Sequence, residues 1–305
     1  MLEVENISAG YGKNNVINDI SFTVKKGELY VLLGPNGSGK TTTFRAVSGV
    51  IPLSKGRVII EGIDLNREPE LAKRKLGYLP EGERVYPNIS VYKNLLFFAK
   101  IYDVDRGKID VVLKEFGLEK YKNSPAGYLS RGMRKKLALA RALLHDPEVI
   151  IFDEPFSNLD MSTVLRLRDE IKKMIENDKI ILFSTHILSE LQYFEDVNCK
   201  VAFINEGRII LERELEELAG SVNNILVVFR VTDKTRAMEV LTNLGYDVSI
   251  EQSGVVVRVS NYHKEVPAIL KILLTHDITV YEARPKESPV ERFYRDFVDI
   301  SPPNI

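Results

Sequence analysis

The chain has 305 residues, 44% of them hydrophobic, and a formal net charge of −1 at pH 7, which suits one sizeable domain plus a smaller one. The balanced charge excludes a general attraction to nucleic acid or anionic lipid, no apolar run approaches the length of a membrane span, and the N-terminus lacks a signal-peptide pattern. The lone Cys199 cannot form an internal disulfide, which fits a reducing compartment, so we expect a soluble, intracellular protein.

The first 33 residues predict strands. Leu2–Ile7 and Ile20–Val24 alternate apolar and polar residues, and a glycine turn follows each of them. This pattern favours an antiparallel sheet. The next segment, Leu29–Leu33, is apolar throughout and predicts a buried strand.

A phosphate-binding loop follows that strand. Gly34–Thr41 fits the pattern G-x-x-x-x-G-K-[ST], in which glycines turn backbone N–H groups inward towards an anion. Lys40 can reach the β- and γ-phosphates, and the Thr41 hydroxyl can ligate Mg²⁺. The segment from Thr41 towards Gly49 predicts a helix whose positive end meets the phosphates. The loop indicates a nucleoside-triphosphate site, with a plain glycine turn as the alternative for the loop alone.

The middle of the chain is predicted to be helical. From about Asn88 to Leu144 the apolar residues recur at helical spacing. Ser130 directly precedes the pattern from Arg131 to Leu144, so it is a candidate N-cap at a helix start that presents partial positive charge to an anion. An ordinary cap is the alternative. The region also holds an aromatic cluster, which we interpret as core rather than interface: Tyr92, Phe97, Phe98 and Tyr102.

Two later strands end in chemically active side chains. The apolar run from Glu148 ends in Asp153 and Glu154, as expected of a buried parallel strand with chemistry at its C-terminal tip. We predict that Asp153 holds Mg²⁺ through water and that Glu154 is the general base for an attacking water. A solvated turn is the alternative for this pair alone. His186 follows the apolar strand Ile180–Phe183, and we predict a hydrogen bond that aligns the water with Glu154, rather than a packed or capping role.

The pattern restarts near residue 220. Gly220–Asn224 reads as a linker, and the residues after it predict a strand, a helix, two strands, a helix and a strand, which is the split βαββαβ, ferredoxin-like plan. The predicted bounds are Ile225–Val231, Thr235–Leu244, Asp247–Glu251, Val255–Ser260, Lys264–His276 and Ile278–Ala283. A terminal helix, Pro289–Val298, is expected to close this domain.

The order of these motifs resembles the nucleotide-binding subunit of ATP-binding-cassette (ABC) transporters, over residues 1 to about 217. Leu129–Met133 is similar to the family signature LSGGQ, which other phosphate-loop enzymes lack. Further matches lie at the expected places: Tyr11, Gly77–Glu81, Ser157–Asp160 and Ser184–His186. The resemblance at the C-terminus is weaker and is to the small domain that some exporter ATPases carry.

The resemblance implies an α/β fold: a phosphate-loop cassette with a mixed-sheet core, an antiparallel β subdomain and a helical subdomain at about 88–144. Domains are expected at 1–219 and 220–305. It also implies ATP and Mg²⁺ as cofactors, with Lys40, Glu154 and His186 catalytic and Thr41, Glu81 and Asp153 at the metal. Tyr11 would lie against the adenine. The other implied nucleotide contacts are Gly34, Asn36, Gly37, Ser38, Gly39, Thr42, Ser130, Gly132 and Asp160.

Three positions depart from the family pattern. Glu81 replaces the usual Gln, which adds charge but keeps an oxygen ligand for Mg²⁺. Arg131 and Met133 replace a Gly and the Gln of the signature, whereas Ser130 and Gly132 are retained. Such variants are familiar in the exporter-type (ABC-2-like) branch, often multidrug or antibiotic systems, so we interpret the enzyme as active.

In this family the signature serine of one protomer faces the γ-phosphate of the other, so one cassette per chain implies a homodimer, or a heterodimer with a second cassette. The helical subdomain and the Glu81 loop would contact separately encoded permease subunits and hold the protein at the inner face of the cell membrane. A soluble ABC ATPase acting on nucleic acid or ribosomes is the alternative, and it is disfavoured because Val255–Val259 lacks the stacking aromatics of an RNA-binding sheet. A non-hydrolysing regulatory subunit is disfavoured by the complete set of catalytic side chains. In such systems the cargo is read by the membrane helices of the permease.

Overall fold

The computed structural model describes residues 1–286, except 13, 83, 158, 221–224 and 261, and excluding the side chains of residues 219, 220 and 263. The chain divides into two compact units, Met1–Arg213 and a second that begins at Glu214. This division lies six residues before the predicted boundary, and the helix Leu215–Gly220 falls in the second unit. The predicted helix Pro289–Val298 lies outside the described residues.

The first unit contains ten strands and six α-helices in the described part of the chain. The strands are β1 (Leu2–Tyr11), β2 (Asn14–Val24), β3 (Leu29–Leu33), β4 (Leu53–Ile60), β5 (Ile63–Asp64), β6 (Leu76–Leu79), β7 (Val149–Asp153), β8 (Ile180–Thr185), β9 (Cys199–Asn205) and β10 (Arg208–Glu214). The helices are α1 (Lys40–Val47), α2 (Pro69–Arg74), α3 (Val91–Tyr102), α4 (Gly107–Glu115), α5 (Arg131–Leu143) and α6 (Met161–Glu176). Short 3-10 helices span Glu119–Tyr121, Ala126–Tyr128 and Leu188–Phe194.

A six-stranded sheet forms the centre of the first unit, in the order β10-β9-β3-β8-β7-β6. The pairings β3/β8, β3/β9, β7/β8 and β6/β7 are all parallel. Strands β3, β7 and β8 are buried at every residue, which explains their continuous apolar sequences. The C-terminal ends of these three neighbouring strands therefore meet at one edge of the sheet.

A second sheet, β2-β1-β4-β5, is antiparallel in each of its pairings, as the alternating N-terminal sequence predicts. Helix α1 packs between the two sheets, because Phe44 and Val47 share one core with Leu2 of β1 and Ile151 of β7. The phosphate-loop helix is thus anchored on both sides by apolar burial, which contributes roughly 1.5–3 kcal/mol for each large side chain.

The predicted helical region consists of three α-helices that pack together. Helices α3, α4 and α5 pack around a core of their own that includes Leu95, Leu113 and Leu137. Ser90 and Ser130 cap α3 and α5, and their hydroxyls accept hydrogen bonds from the third residue beyond them. None of the helices in the described ranges is both long and apolar enough to cross a membrane.

The second unit has the order of elements that the sequence predicts. It contains α7 (Leu215–Gly220), β11 (Ile225–Val231), α8 (Lys234–Asn243), β12 (Asp247–Glu251), β13 (Gly254–Val259), α9 (Tyr262–Thr275) and β14 (Val280–Pro285). The sheet order is β12-β13-β11-β14, with antiparallel pairings throughout. Helices α8 and α9 bury Leu241 and Ile269 in one core with Phe229 and Val257 of the sheet. This arrangement is that of the split βαββαβ plan.

Candidate functional site

The predicted catalytic residues come together at the C-terminal ends of β3, β7 and β8. In register, Leu33 of β3 lies beside Thr185 of β8, and Asp153 of β7 lies beside Ser184. Because these strands are parallel neighbours, segments that are more than 100 residues apart in sequence end at the same edge of the sheet.

The phosphate loop turns tightly between β3 and α1. Gly37 and Gly39 have φ angles of 82° and 110°, which disfavour any residue with a side chain. A Cβ at Gly34 would lie 2.2 Å from the carbonyl oxygen of Ile204, so only glycine allows this approach of loop and strand. The loop thus needs its glycines for conformation and for space.

Two polar groups in the loop are arranged for a ligand. The Lys40 ammonium donates to the carbonyl oxygens of Gly34 (2.8 Å) and Pro35 (3.0 Å), and burial lowers the pKa of Lys40 against the opposing effect of nearby carboxylates. The buried Ser38 Oγ has no hydrogen-bond partner among the described residues. A buried hydroxyl donor without a partner is costly. A phosphate oxygen bound in this loop would supply the acceptor that the Ser38 hydroxyl lacks.

Asp153 is fully buried and is held by three hydroxyl groups. Its Oδ1 accepts from Ser184 Oγ at 2.7 Å and from Thr41 Oγ1 at 3.2 Å, and its Oδ2 lies 3.5 Å from the Tyr78 hydroxyl. Burial raises the pKa of Asp153, and the hydrogen bonds from Ser184 and Thr41 oppose that rise. A carboxylate beside the Thr41 hydroxyl is the donor set that Mg²⁺ prefers in phosphate-loop enzymes.

The backbone of Glu154 adopts a left-handed conformation with φ of 46°, which is uncommon for a residue with a side chain. Hydrogen bonds hold it there. Its N–H donates to Ser184 Oγ at 3.0 Å, and its carbonyl oxygen accepts from Ser157 Oγ at 2.9 Å and from the buried Lys135 Nζ at 3.4 Å.

The Glu154 carboxylate lies beside the His186 imidazole and the Lys40 ammonium. Its Oε1 lies 3.0 Å from His186 Nδ1 and 3.9 Å from Lys40 Nζ. The sequence-predicted catalytic trio of Lys40, Glu154 and His186 therefore lies within direct contact. A carboxylate that is oriented by a histidine and adjoins a phosphate loop is placed to accept a proton from water.

A cavity of about 340 Å³ opens over the phosphate loop. Its described lining contains two of the four acids predicted at the nucleotide or its metal, Glu81 and Glu154, and is completed by Val16, Asn36, Gly37, Gly39, Lys40, Thr41 and Thr42. No group of three His, Cys, Asp or Glu residues in the described ranges could hold a metal by itself. Mg²⁺ keeps several waters and binds one or two carboxylates plus substrate phosphates, so Thr41, Asp153 and Glu81 suit it without such a group.

Six predicted nucleotide contacts are not among the described residues that line this cavity: Tyr11, Gly34, Ser38, Ser130, Gly132 and Asp160. Gly34 and Ser38 belong to the phosphate loop itself, whereas the other four lie outside it. Ser130 is exposed and caps α5, with its Oγ accepting from the N–H of Met133 at 3.3 Å. Asp160 caps α6, and hydrogen bonds from Ser162 and Thr163 lower the pKa of its carboxyl group. Within one chain both residues serve as helix caps, and their contact with a nucleotide stays a prediction.

Sequence reasoning missed several residues of the site. Ser184 lies inside a matched motif, but only the structure reveals that its hydroxyl joins Asp153 to Glu154. Tyr78 lies inside the matched segment before Glu81 and reaches Asp153. Arg45 donates to the Tyr11 hydroxyl at 2.7 Å. For Ser184, the available signal in the sequence was a polar residue one position before the end of a strand. The sequence contains no comparable signal for Tyr78 or Arg45.

A second, larger cavity of about 720 Å³ lies between the sheet and the helical bundle. Four cationic side chains line it, and none of them forms a salt bridge with a carboxylate in the described part of the chain: Arg45, Lys73, Arg84 and Arg141. The Arg141 guanidinium lies 5.0 Å from the Phe98 ring centre. Phe98 and Tyr102 line this cavity and Phe97 is 47% exposed, so the aromatic cluster is not simply core.

His145 also lines this cavity. Its ring stacks on Tyr102 with centroids 3.8 Å apart, and its Nε2 lies 3.1 Å from the carbonyl oxygen of Leu76. Burial lowers the pKa of His145 to about 4. The imidazole is therefore neutral at physiological pH.

The comparisons with known proteins agree with this site. Residues 17–157 match the family model described as ABC transporter. The chain is 35% identical to the ABC transporter ATP-binding protein YhcH of Bacillus subtilis (strain 168), over 93% of this chain and 91% of that protein. It is 30% identical to the bacitracin transport ATP-binding protein BcrA of Bacillus licheniformis, over 96% of each chain.

Solved structures give the same result for the first unit. The structure of an ATP-binding subunit of an ABC transporter is 30% identical with a TM-score of 0.66 and covers 72% of this chain and 91% of that chain. A dimeric cassette, MJ0796 with ADP and Pi, is 23% identical with a TM-score of 0.63, covers 71% of this chain and 99% of that one, and indicates the fold alone.

The fold and site define a phosphate-loop nucleotide hydrolase of the cassette type. The chain belongs to the ABC transporter family, as one of its ATP-binding subunits, and is an ATPase of that family. The nucleic-acid alternative receives no support from these relatives, which are named for transport.

Proposed function

We propose that this protein closes as a dimer on ATP, hydrolyses it with Glu154 as the base, and so drives a separately encoded permease that exports its cargo. The observation that carries the proposal is the contact of Glu154 Oε1 with His186 Nδ1 at 3.0 Å and Lys40 Nζ at 3.9 Å, at the rim of the phosphate-loop cavity. The expectation of export draws on BcrA, a relative named for bacitracin transport.

The contacts in the site suggest a separate role for each residue in the proposed reaction. Lys40 and the loop N–H groups bind the phosphates; Glu154 accepts the proton of the attacking water; His186 orients the Glu154 carboxylate. Thr41, Asp153 and Glu81 would hold Mg²⁺, which offsets phosphate charge when bound. Ser184 keeps Asp153 and Glu154 in fixed relation, so the metal-binding and proton-accepting groups are positioned together.

We expect Glu154→Gln to abolish steady ATP hydrolysis and to leave ATP affinity within about twofold of the parent, because the substitution removes the base but keeps the shape and the hydrogen-bonding oxygen. Glu170→Gln, which changes an exposed carboxylate paired with Lys173, is the matched control. Hydrolysis and equilibrium ATP binding are measured on the same preparations. Parent-like turnover in Glu154→Gln would show that another group accepts the proton.

The dimer is supported by the position of Ser130 at the exposed start of α5. Helix N-termini carry partial positive charge and free N–H groups, which favour an anion. Since Ser130 is not among the described residues around its own phosphate loop, we propose that it completes the site of a second cassette, in a homodimer or with a different cassette.

The cavity of about 720 Å³ beside the helical bundle is the proposed place of permease contact. Cations without carboxylate partners, next to the exposed Phe97 ring, favour a segment that carries Asp or Glu together with apolar side chains. Such contact would hold the protein at the cytoplasmic face of the membrane.

Charge reversal tests this contact. We expect Arg84→Glu to reduce recovery of the co-expressed permease from detergent extracts by at least about tenfold while ATP affinity is unchanged, because Arg84 is exposed and lies outside the phosphate loop. Lys55→Glu on β4, an exposed cation of the other sheet, is the control. Equal recovery with both variants would exclude this cavity as the contact.

A further inference from the structure

One arginine joins the phosphate-loop helix to the aromatic residue at the end of β1. Tyr11 is 49% exposed, and Arg45 lies on α1, five residues after Lys40. Arg45 Nη1 donates to the Tyr11 hydroxyl at 2.7 Å. This short hydrogen bond fixes the far end of a ring that is otherwise half surrounded by solvent.

The orientation of that ring matters for a planar ligand. An exposed tyrosine side chain samples several rotamers, and stacking on a base selects one of them at an entropic cost. A guanidinium on the hydroxyl removes part of that cost before the ligand arrives. Because Arg45 belongs to the same helix as Lys40, the ring and the phosphate-binding lysine share one rigid support.

Arg45 has a second aromatic neighbour. Burial raises the pKa of Tyr78, the positive charge of Arg45 opposes that rise, and the Tyr78 hydroxyl lies 3.5 Å from Asp153 Oδ2. Arg45 and Tyr78 line the same cavity beside the helical bundle, and Arg45 is not among the described residues that line the phosphate-loop cavity. Arg45 is thus bonded to the Tyr11 hydroxyl and lies beside Tyr78, outside the described lining of the phosphate site.

We propose that Arg45 is a positioning residue for the nucleotide base: it holds Tyr11 in the orientation that stacks on adenine and links that ring, through Tyr78, to Asp153. The inference rests on the role of Tyr11 expected from the proposed function. It predicts that Arg45 contributes to affinity for the base and not to affinity for the phosphates.

The test compares MgADP with magnesium pyrophosphate, which has no base, in equilibrium binding to the full chain. Neither ligand contains the γ-phosphate that the enzyme removes. Arg45→Met removes the donor, Tyr11→Phe removes the acceptor while keeping the ring, and the double variant removes both. Lys73→Met is the matched control, because it removes a cation from the same cavity without a contact to Tyr11.

We expect Arg45→Met and Tyr11→Phe each to weaken MgADP binding by about fivefold, as for loss of one net hydrogen bond. The double variant should be no weaker than either single one, since both remove the same bond. Pyrophosphate affinity should stay unchanged in all of them, and Lys73→Met should bind both ligands as the parent does.

Three results would overturn the proposal. Equal weakening of ADP and pyrophosphate in Arg45→Met would mean that Arg45 acts on the phosphates through its charge. Parent-like ADP affinity in Arg45→Met, or additive losses in the double variant, would mean that the bond does not position the ring. Tyr11→Ala distinguishes failure of the adenine role of Tyr11 from failure of the positioning role of Arg45. Unchanged ADP affinity in Tyr11→Ala would exclude stacking of Tyr11 on adenine. A loss of ADP affinity in Tyr11→Ala but not in Arg45→Met would exclude only the role of Arg45.

Discussion

Ser184→Ala is expected to weaken both the fold and the chemistry, because one buried hydroxyl serves two residues. Ser184 is fully buried, donates to Asp153 Oδ1 at 2.7 Å and accepts from the Glu154 N–H at 3.0 Å. Alanine fits the space but can make neither bond. It therefore leaves a buried carboxylate with one donor fewer and a partly buried N–H without its acceptor.

The magnitude follows from these two losses. A hydrogen bond to a charged group contributes about 1.5–3 kcal/mol, and a buried donor left unpaired costs about 1–3 kcal/mol. Because relaxation makes the two effects overlap, we expect a loss of about 3 kcal/mol in the free energy of unfolding. For a domain of this size that corresponds to a melting temperature lower by roughly 6–12 °C.

Turnover should fall as well, since the left-handed backbone of Glu154 loses the acceptor that holds it. Thermal unfolding and steady-state ATP hydrolysis are measured on the same preparations, with kcat expected to fall more than the affinity for ATP. Ser162→Ala, which removes an exposed hydroxyl bound to Asp160, should change the melting temperature by no more than about 2 °C. A Ser184→Ala protein with parent-like melting temperature and kcat would refute this reasoning.

Two further predictions follow from the burial of His145 and from the place of Ser130. Burial lowers the pKa of His145 from 6.5 to about 4, so the unfolded chain takes up this proton first; the stability that depends on it is complete above about pH 6.5 and is lost as the pH falls towards 4. The melting temperature of the parent should thus decline more steeply over that window than that of His145→Gln, and parallel curves would contradict the assignment. For Ser130, mixed Ser130→Arg and Lys40→Ala chains should form heterodimers with at most one competent site, and parent ATPase activity should rise more than linearly with protein concentration at high dilution; strict proportionality would exclude a shared site.

Much of the fold could be predicted because the relevant signals are local. The bounds of Leu29–Leu33, Ile225–Val231 and Asp247–Glu251 agree with the structure, since each is a short strand-forming run ended by a change of residue type. The helical region was predicted less well. The sequence placed a helix from Arg131, but it did not separate α3 from α4 or locate the stretch between Glu115 and Arg131, which contains two 3-10 helices.

The proximity of Lys40, Glu154 and His186 was also predictable, because each of them lies in a segment that follows a recognisable strand. The contacts that hold them were not. Arg45 with Tyr11 and Ser184 with Glu154 join residues about 30 positions apart, and only the order of strands in the sheet decides which side chains meet. The observed boundary between the units lies before the predicted one. The glycine-containing polar stretch after residue 219 predicts a linker, whereas the helix Leu215–Gly220, which precedes that stretch, belongs to the second unit.

The order of strands in the central sheet has a consequence for synthesis of the chain. Strand β3, which carries the phosphate loop, pairs with β8 and β9, and these end at Thr185 and Asn205. At a translation rate of roughly 5–20 residues per second, a fully apolar β3 waits on the order of ten to thirty seconds for its neighbours to leave the ribosome. During that interval its hydrogen-bonding edges are unpaired, so the nascent chain has a period in which chaperone protection of its first 200 or so residues matters most.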